Sequence, residues 1–292
     1  MSARPLRTRE PAGSPARLAR WDVRIVLAGL PLQACSVLLR RGRQLVLVDT
    51  GFTQHDTLLL DGLAQAGVEP AQITAIINTH FHLDHCGGNF LFPHAPVYGS
   101  RRDFEWAVRI YESVCGGETR REVFRQFYPE ATDEEFDRMD EARLLQLIRW
   151  MWDPTVLGPR ERYRWIEDAP WPFPGLRLVP TPGHTPAHFS LAVTGRDGDY
   201  LVLGDARAFA GAGPAGPGSD MPAFNHAQYQ ASLALTERFS GILIPGHDDP
   251  FSQNGEEPEF ARAATAAWSG RNGAQGRAPA IVGSSSEREN EF

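Results

Sequence analysis

The chain has 292 residues, 42% of them hydrophobic and 10% aromatic, which is ordinary for a folded protein with a sizeable core. Its formal net charge of −7 disfavours a nucleic-acid substrate, because phosphate binding needs a concentrated positive face. All 29 basic residues are arginine, which excludes a lysine nucleophile or a lysine Schiff base.

Neither a membrane span nor a secretory signal is expected. No run of about 18 apolar residues occurs, and the Arg- and Pro-rich N-terminus lacks the apolar stretch of a signal peptide. Cys35, Cys86 and Cys115 are odd in number and unclustered, which fits a reducing compartment better than a disulfide framework. We therefore expect a cytoplasmic protein that acts away from membranes.

Strand patterns and one helix follow an irregular lead-in. Residues 1–20 mix Arg, Pro, Ala and Ser without periodicity and are expected to be disordered. Apolar runs then predict four strands, the second and third of which form a hairpin, and a helix precedes the fourth. The predicted strands are 23–27, 36–39, 45–48 and 73–78, and the predicted helix is 56–66.

Residues 101–165 interrupt the strand pattern with a helical one. Phe104, Val108 and Tyr111 recur at a spacing of three to four, and Thr132 with Glu135 forms a capping box that opens a further helix. The segment is too long for a connection and too apolar for a linker. It predicts a helical insertion that lies over the functional site.

Strands return after the insertion and complete an α/β pattern. The residues from 256 to 292 are rich in Ala, Gly and Ser and are expected to be mostly disordered, which leaves 21–255 as one folded domain. The order of strands and helices predicts a four-layer αββα sandwich, with two sheets face to face and helices outside. The later predicted strands are 176–179, 188–193, 201–203 and 242–244, and a helix is predicted at 225–239.

The most informative motif is His80-Phe81-His82-Leu83-Asp84-His85, directly after the strand predicted at 73–78. In an extended chain alternate side chains point the same way, so His80 and His82 can converge on one metal ion. Asp84 and His85 follow where the chain turns and can face a second ion beside the first. Packing does not explain this set at the end of a buried strand.

Three later strand ends each carry one more candidate ligand. His184 lies in Pro-Gly-His-Thr-Pro, Asp205 follows Gly204, and His247 lies in Gly-His-Asp. Ligands at the ends of several strands are how α/β scaffolds build sites. The donor set of five histidines and two aspartates suits Zn²⁺.

These motifs resemble those of the metallo-β-lactamase superfamily over residues 21–255. The resemblance implies two divalent ions, with zinc expected first and iron, manganese or cobalt as alternatives. Asp205 would bridge the two ions. The first ion would be held by His80, His82 and His184, and the second by Asp84, His85 and His247.

The reaction that the resemblance implies is hydrolysis. Two ions would hold a hydroxide that attacks an acyl carbonyl, and Asp84 is the candidate to pass a proton to the leaving group. The stretch Thr-Pro-Gly-His-Thr-Pro-Ala-His and the helical insertion are most similar to acyl-homoserine lactonases, so a small lactone is the expected substrate. Those lactonases carry a tyrosine just after the bridging aspartate, whereas Ala206-Arg207-Ala208-Phe209 follows Asp205 here.

Residues near the ligands are expected to contact the substrate or to orient the ligands. Trp150 and Trp152 in the insertion, together with Arg207 and Phe209, are the candidate substrate contacts. The candidate orienting residues are Asp49, His188, Asp248 and Asp249. The sequence leaves open whether the protein forms a homodimer.

Three alternatives to a lactonase remain. A glyoxalase II-like thioesterase uses the same seven ligands, and the sequence does not separate the two. An iron-dependent oxygenase is the second. Diiron members of the superfamily carry a carboxylate where this chain has His82. A mononuclear iron dioxygenase that acts on persulfides also remains an alternative. The third is a non-catalytic metal-binding protein, although such relatives usually lose ligands.

Overall fold

The computed structural model describes residues 19–30, 33–116, 120–130, 157–168, 170–212 and 223–252. Most of the expected lead-in, the expected tail from 256, and the helix that Thr132 was expected to open lie outside these residues. Trp150 and Trp152 also lie outside them. Across the described ranges, no helix combines the length and apolar character that crossing a bilayer requires.

The first sheet has six strands: β1 (Asp22–Leu27), β2 (Ser36–Arg41), β3 (Gln44–Val48), β4 (Ala75–Ile77), β5 (Val97–Gly99) and β6 (Tyr163–Trp165). They lie side by side in chain order. The first three are antiparallel, and β2 and β3 form the predicted hairpin, whereas β3 to β6 run parallel. The last residues of the segment expected to be a helical insertion therefore belong to this sheet.

The second sheet has five strands: β7 (Leu176–Pro180), β8 (Phe189–Thr194), β9 (Asp199–Gly204), β10 (Ile242–Pro245) and β11 (Phe251–Ser252). Their order is β11-β10-β9-β8-β7. β9 and β10 run parallel, and the other neighbours are antiparallel. As a result β7, β9 and β10 all point the same way.

The described helices are α1 (Asp56–Gln65), α2 (Leu83–Cys86), α3 (Arg101–Gly116), α4 (Arg120–Phe127) and α5 (His226–Thr236). α1 matches the helix predicted at 56–66 to within one residue. α5 starts one residue later than predicted because Asn225 caps it: the Asn225 side chain accepts a hydrogen bond from the Gln228 N–H at 2.8 Å.

Alternate residues of the central strands face opposite layers, as the strand period of two requires. In β2, Val37 and Leu39 belong to the core between the sheets, whereas Leu38 faces outward into a separate core. α1 contributes Leu59 and Leu63 to that outer core. Helices therefore cover the outer face of the first sheet.

The second sheet alternates in the same way. Leu191 and Val202 point into the core between the sheets, and Leu201 and Leu203 point outward. On that side α5 contacts the loop after β7, where Ser232 Oγ donates to the Pro182 carbonyl at 2.7 Å. The two sheets flanked by helices confirm the predicted αββα sandwich. The ends of β3, β4, β7, β9 and β10 carry the predicted ligands and their neighbours.

Candidate metal centre

The loop after β4 places its ligands through local backbone structure. His82 is the extended N-cap of the short helix α2, so that Asp84 and His85 lie in the single turn that follows. The rings of His80 and His82 approach to 4.7 Å between centroids, as the extended spacing predicts. Asn78 holds the loop closed by donating from Nδ2 to the His85 carbonyl at 3.1 Å.

The seven predicted residues converge in two groups. In each group every residue offers one nitrogen or oxygen, and these atoms lie within 4.8 Å of one another. The division is the one that the resemblance implied, although the role of each residue as a ligand stays a prediction. One group is His80, His82, His184 and Asp205, and the other is Asp84, His85 and His247.

Asp205 lies between the two groups. Its Oδ2 is 3.2 Å from His184 Nε2, and its Oδ1 is 3.2 Å from His85 Nε2 and 3.3 Å from His247 Nε2. The preceding residue must be glycine for the backbone to bring Asp205 to this position. Gly204 has a φ of +51°, and a Cβ on it would lie 2.6 Å from Thr79 Oγ1. The carboxylate thus turns one oxygen to each group, as a bridging ligand would.

Unpartnered polar atoms show that the cluster fits a cation. The Nε2 atoms of His80, His82 and His85 are buried without a hydrogen bond among the described residues, as is Oδ1 of Asp205. His85 Nε2 and Asp205 Oδ1 are close but not aligned as donor and acceptor, which is how two ligands of one ion are arranged. Orphaned buried polar atoms are costly, and a bound divalent ion would satisfy them.

The opposite nitrogens of three histidines are held by protein atoms. The ring Nδ1 of His85 lies 2.8 Å from Asp49 Oδ2, and that of His247 lies 3.1 Å from the Leu30 carbonyl. Thr79 Oγ1 donates to Asp49 and lies 3.1 Å from His80 Nδ1. Partners at Nδ1 fix the tautomer that leaves Nε2 free to bind a metal.

Two of the expected orienting residues lie where the sequence placed them. Asp49 is buried, has a left-handed φ of 54°, and accepts from the Thr79 N–H at 2.9 Å. His188 is buried outside both groups and accepts from the Asp205 N–H at 3.1 Å through Nε2. Both therefore position the loops that carry the ligands.

The expectation for Asp248 needs correction. Its carboxylate accepts from the N–H groups of Ala210 and Asp249, each at 2.9 Å, and the His247 ring is held instead by Leu30. The Leu30 carbonyl can hold the His247 ring because the chain around Leu30 runs past the end of β10. A second contact joins the same two segments: the Cys35 N–H donates to the Gly246 carbonyl at 2.6 Å.

Asp103 is a positioning residue that the sequence did not indicate. It is buried in the first turn of α3, where its Oδ2 accepts from the Phe81 N–H at 3.0 Å and its Oδ1 from the Ala187 N–H at 3.2 Å. Burial raises the pKa of this carboxyl, and the hydrogen bonds to it oppose that rise. One carboxylate thus joins the loop of His80 and His82 to the loop of His184.

The two groups differ in their protonation. Burial and then the neighbouring His184 lower the pKa of His82 to about 3, so this imidazole is neutral. Although burial lowers it, the carboxylates of Asp205, Asp84 and Asp49 together raise the pKa of His85 to about 10. Asp205 and Asp84 likewise overcome burial and raise the pKa of His247 to about 11. Without metal, the second group is a network of imidazolium and carboxylate.

Aromatic side chains lie beside the histidine rings of the centre. Trp106 of α3 and Phe127 of α4 lie 5.7 and 6.0 Å from the His82 ring, measured between centroids. Phe209, one of the candidate substrate contacts, lies 6.1 Å from the His247 ring. Arg207, another candidate, donates from Nη2 to the Ala210 carbonyl at 2.7 Å and stacks at 4.8 Å on Phe251.

The carboxylates of the centre influence two phenols that the sequence did not indicate. Burial and the charges of Asp84 and Asp205 raise the pKa of Tyr128, at the end of α4. Burial and the charge of Asp205 raise that of Tyr229 on α5. Both phenols are therefore protonated and able to donate.

Comparison with known proteins identifies the family. A model of the Metallo-beta-lactamase superfamily matches residues 29–247. Metallo-beta-lactamase domain-containing protein 1 from Xenopus laevis is 30% identical over 218 residues, which is 74% of this chain and 71% of the relative. N-acyl homoserine lactonase AiiA from Bacillus thuringiensis subsp. kurstaki is 30% identical over 155 residues, which is 53% of this chain and 46% of the lactonase. That match spans less than half of the lactonase.

Solved structures share the fold. A quorum-quenching N-acyl homoserine lactone lactonase has a TM-score of 0.52 at 20% identity and covers 79% of this chain and 92% of its own. AidC, a dizinc quorum-quenching lactonase, has a TM-score of 0.53 at 15% identity, over 73% of this chain and 72% of its own. At these identities the likeness concerns the fold alone. Because the family model spans most of the chain, this protein belongs to the metallo-β-lactamase superfamily, and the expectation of a metallo-hydrolase is confirmed at the level of that family.

Proposed function

We propose that the protein is a dinuclear metal-dependent hydrolase that opens the ring of a small lactone of the acyl-homoserine lactone type. The position of Asp205 carries the proposal. Its two oxygens face different groups, at 3.2 Å from His184 Nε2 and 3.2 Å from His85 Nε2. A carboxylate in this position serves two ions at once, so both groups would be filled together.

The metals would be held by the two groups already described. Zinc fits the imidazole and carboxylate donors. When bound, two divalent ions supply a nucleophile at neutral pH and polarise the substrate carbonyl. The remaining steps belong to side chains of this protein.

Asp84 is placed to move the proton. Its side chain is 19% exposed, whereas the His85 side chain is fully buried, so Asp84 lies on the open side of the centre. Although burial opposes it, His85 and His247 hold the pKa of this carboxyl well below its usual range, so Asp84 is ionised. It can accept a proton from the attacking water and return it to the ring oxygen that leaves. The product is then a hydroxy acid.

A lactone with an acyl chain is favoured by the family relationship and by the aromatic wall. The lactonase relative is 30% identical over the region it shares with this chain. Trp106 and Phe127 lie beside His82, and an acyl chain bound next to this ring would contact them.

A hydrolysis screen of zinc-loaded protein tests the proposal. It should contain acyl-homoserine lactones of several chain lengths, simple γ-lactones, S-lactoylglutathione, acyl-CoA thioesters and nitrocefin. We expect the acyl-homoserine lactones to be hydrolysed with the highest kcat/KM. Turnover confined to the thioesters would replace the lactonase with a thioesterase, and inactivity on every substrate with two zinc ions bound would overturn the proposal.

A further inference from the structure

A cavity of about 440 Å³ lies beside the metal centre, between α3 and the loop that carries His184. Three arginines, two glutamates and three uncharged residues line it. Three arginines and two glutamates give this lining a formal net charge of +1, whereas the chain as a whole carries −7.

The inner wall of the cavity is shared with the metal centre. Trp106 lines the cavity, and its ring lies 5.7 Å from the ring of His82. Phe224 also lines it, and its N–H donates to the His184 carbonyl at 3.2 Å. Pro186, a third lining residue, follows His184 by two positions. The cavity and the metal centre therefore lie on two sides of the same residues, with the Trp106 ring between them.

Part of the charge around the cavity is already paired. Arg101 forms an ion pair with Asp168. The Glu167 carboxylate accepts from Ser100 Oγ at 2.6 Å and from the Arg101 N–H at 3.1 Å. These groups build the rim: Asp168 balances the charge of Arg101, and the negative charge of Glu167 is held by hydrogen bonds alone.

Arg102 and Arg109 are the unpaired cations of the cavity. Both are exposed, and neither has an ion-pair partner among the residues that the structure describes. With Glu105 and Trp106 they occupy positions i, i+3, i+4 and i+7 of α3, which is one stripe of the helix. Two guanidinium groups and one carboxylate leave this stripe with an excess of one positive charge.

We propose that this cavity binds an anionic group, a carboxylate or a phosphate, on the acyl part of the substrate. Guanidinium groups bind such oxyanions through paired, charge-assisted hydrogen bonds. The inference deepens the proposed function, on which it rests, because it makes the preferred substrate an acidic acyl compound. Trp106 separates the reacting carbonyl at the metal centre from the anion in the cavity.

The kinetic test compares two lactones that differ in one group. One has an acyl chain that ends in a carboxylate, and the other ends in the corresponding primary amide. In zinc-loaded wild-type protein the carboxylate substrate should have the higher kcat/KM. Arg102→Gln/Arg109→Gln should lower the ratio of kcat/KM for carboxylate over amide by about tenfold. Glu105→Gln should raise the ratio, because it removes the only unpaired negative charge of the stripe.

A matched control removes the same charge elsewhere. Arg43 lies in the turn before β3 and Arg177 near the start of β7, both exposed and at the opposite ends of strands whose last residues lead to the metal centre. Arg43→Gln/Arg177→Gln should leave the ratio within about twofold of wild type, since screening weakens charges at that distance.

A binding measurement distinguishes failure of this inference from failure of the proposed function. Zinc-loaded protein is titrated calorimetrically with succinate and, separately, with inorganic phosphate, which shows which anion the cavity takes. Relative to the control pair, Arg102→Gln/Arg109→Gln should weaken binding of one or both anions about tenfold. If wild-type protein hydrolyses neither lactone, the proposed function fails and the titrations alone decide about the cavity. The cavity inference is overturned if lactones are hydrolysed but the two arginine pairs behave alike. In that case Arg102→Gln/Arg109→Gln has the same ratio of kcat/KM, and the same affinity for succinate and for phosphate, as Arg43→Gln/Arg177→Gln.

Discussion

Asp49 Oδ2 lies 2.8 Å from His85 Nδ1, and both side chains are buried. The same carboxylate accepts from the backbone and the hydroxyl of Thr79, which precedes His80. Asp49 therefore fixes the His85 ring and the start of the ligand loop together. This explains why a non-glycine residue is held at a φ of 54° at the end of β3.

Asp49→Asn should weaken the second metal position more than the first. An amide removes the charge that holds the His85 tautomer, and loss of such an outer partner lowers metal affinity by about 10–100-fold. Competition with a chromogenic chelator measures both affinities. Asp61→Asn, at an exposed position of α1, is the control. If Asp49→Asn lowers the metal affinity no more at the second position than at the first, the contact between Asp49 and His85 does not tune the metal.

Asp205→Ala should lose metal from both groups, because its two oxygens face different groups. Asp84→Ala removes a residue of the second group alone and should retain more metal at the first. Elemental analysis after dialysis against a weak chelator measures both variants. Thermal stability in zinc should fall further for Asp205→Ala, because metal bound to the native state stabilises it. Two ions retained in Asp205→Ala would contradict a bridging role.

Asp103→Ala should destabilise the fold even without metal. The change leaves the buried N–H of Phe81 and the partly buried N–H of Ala187 without their acceptor, at a cost of about 1–3 kcal/mol. Urea unfolding of metal-free protein measures the free energy of unfolding. Glu112→Ala, exposed on the same helix, serves for comparison and should change it by less than about 0.5 kcal/mol. Similar stability of the two variants would rule out this role for Asp103.

The stability of metal-free protein should fall as pH rises above neutrality. Although burial opposes it, carboxylates raise the pKa of His85 to about 10 and of His247 to about 11, from a usual value of about 6.5. A group whose pKa is higher in the folded than in the unfolded protein stabilises the fold. This stabilisation is complete below the unfolded-state pKa and is lost as pH rises toward the folded-state pKa.

Zinc should reverse this trend, because bound imidazoles must be deprotonated. The gap in Tm between zinc-loaded and metal-free protein should therefore widen from about pH 6 to about pH 8.5. Scanning fluorimetry across a pH series measures both forms. A gap that stays constant or narrows would show that His85 and His247 are not protonated in the metal-free chain.

The sequence predicted those parts of the site that local pattern determines. Each proposed ligand follows an apolar strand within a few residues, so the strand ends of the predicted sandwich brought the ligands to one edge. The β2–β3 hairpin and α1 were predicted for the same reason. β6 was not, because the three residues from Tyr163 to Trp165 are too few to show a period.

Contacts between distant segments could not be predicted. Asp103 reaches partners 22 and 84 residues away, and nothing local distinguishes it from an ordinary acidic residue in the first turn of a helix. The His247 ring is held by the Leu30 carbonyl, 217 residues away, rather than by the adjacent Asp248. A backbone acceptor carries no side-chain signal, so only the folded arrangement shows it.

Zinc titration of metal-free protein, followed by hydrolysis of N-hexanoyl homoserine lactone, tests the dinuclear lactonase most directly. We predict no hydrolysis without metal and a rate that rises until two zinc ions are bound per chain, because both groups share Asp205. A rate that saturates at one ion per chain, or no hydrolysis with two ions bound, would contradict it.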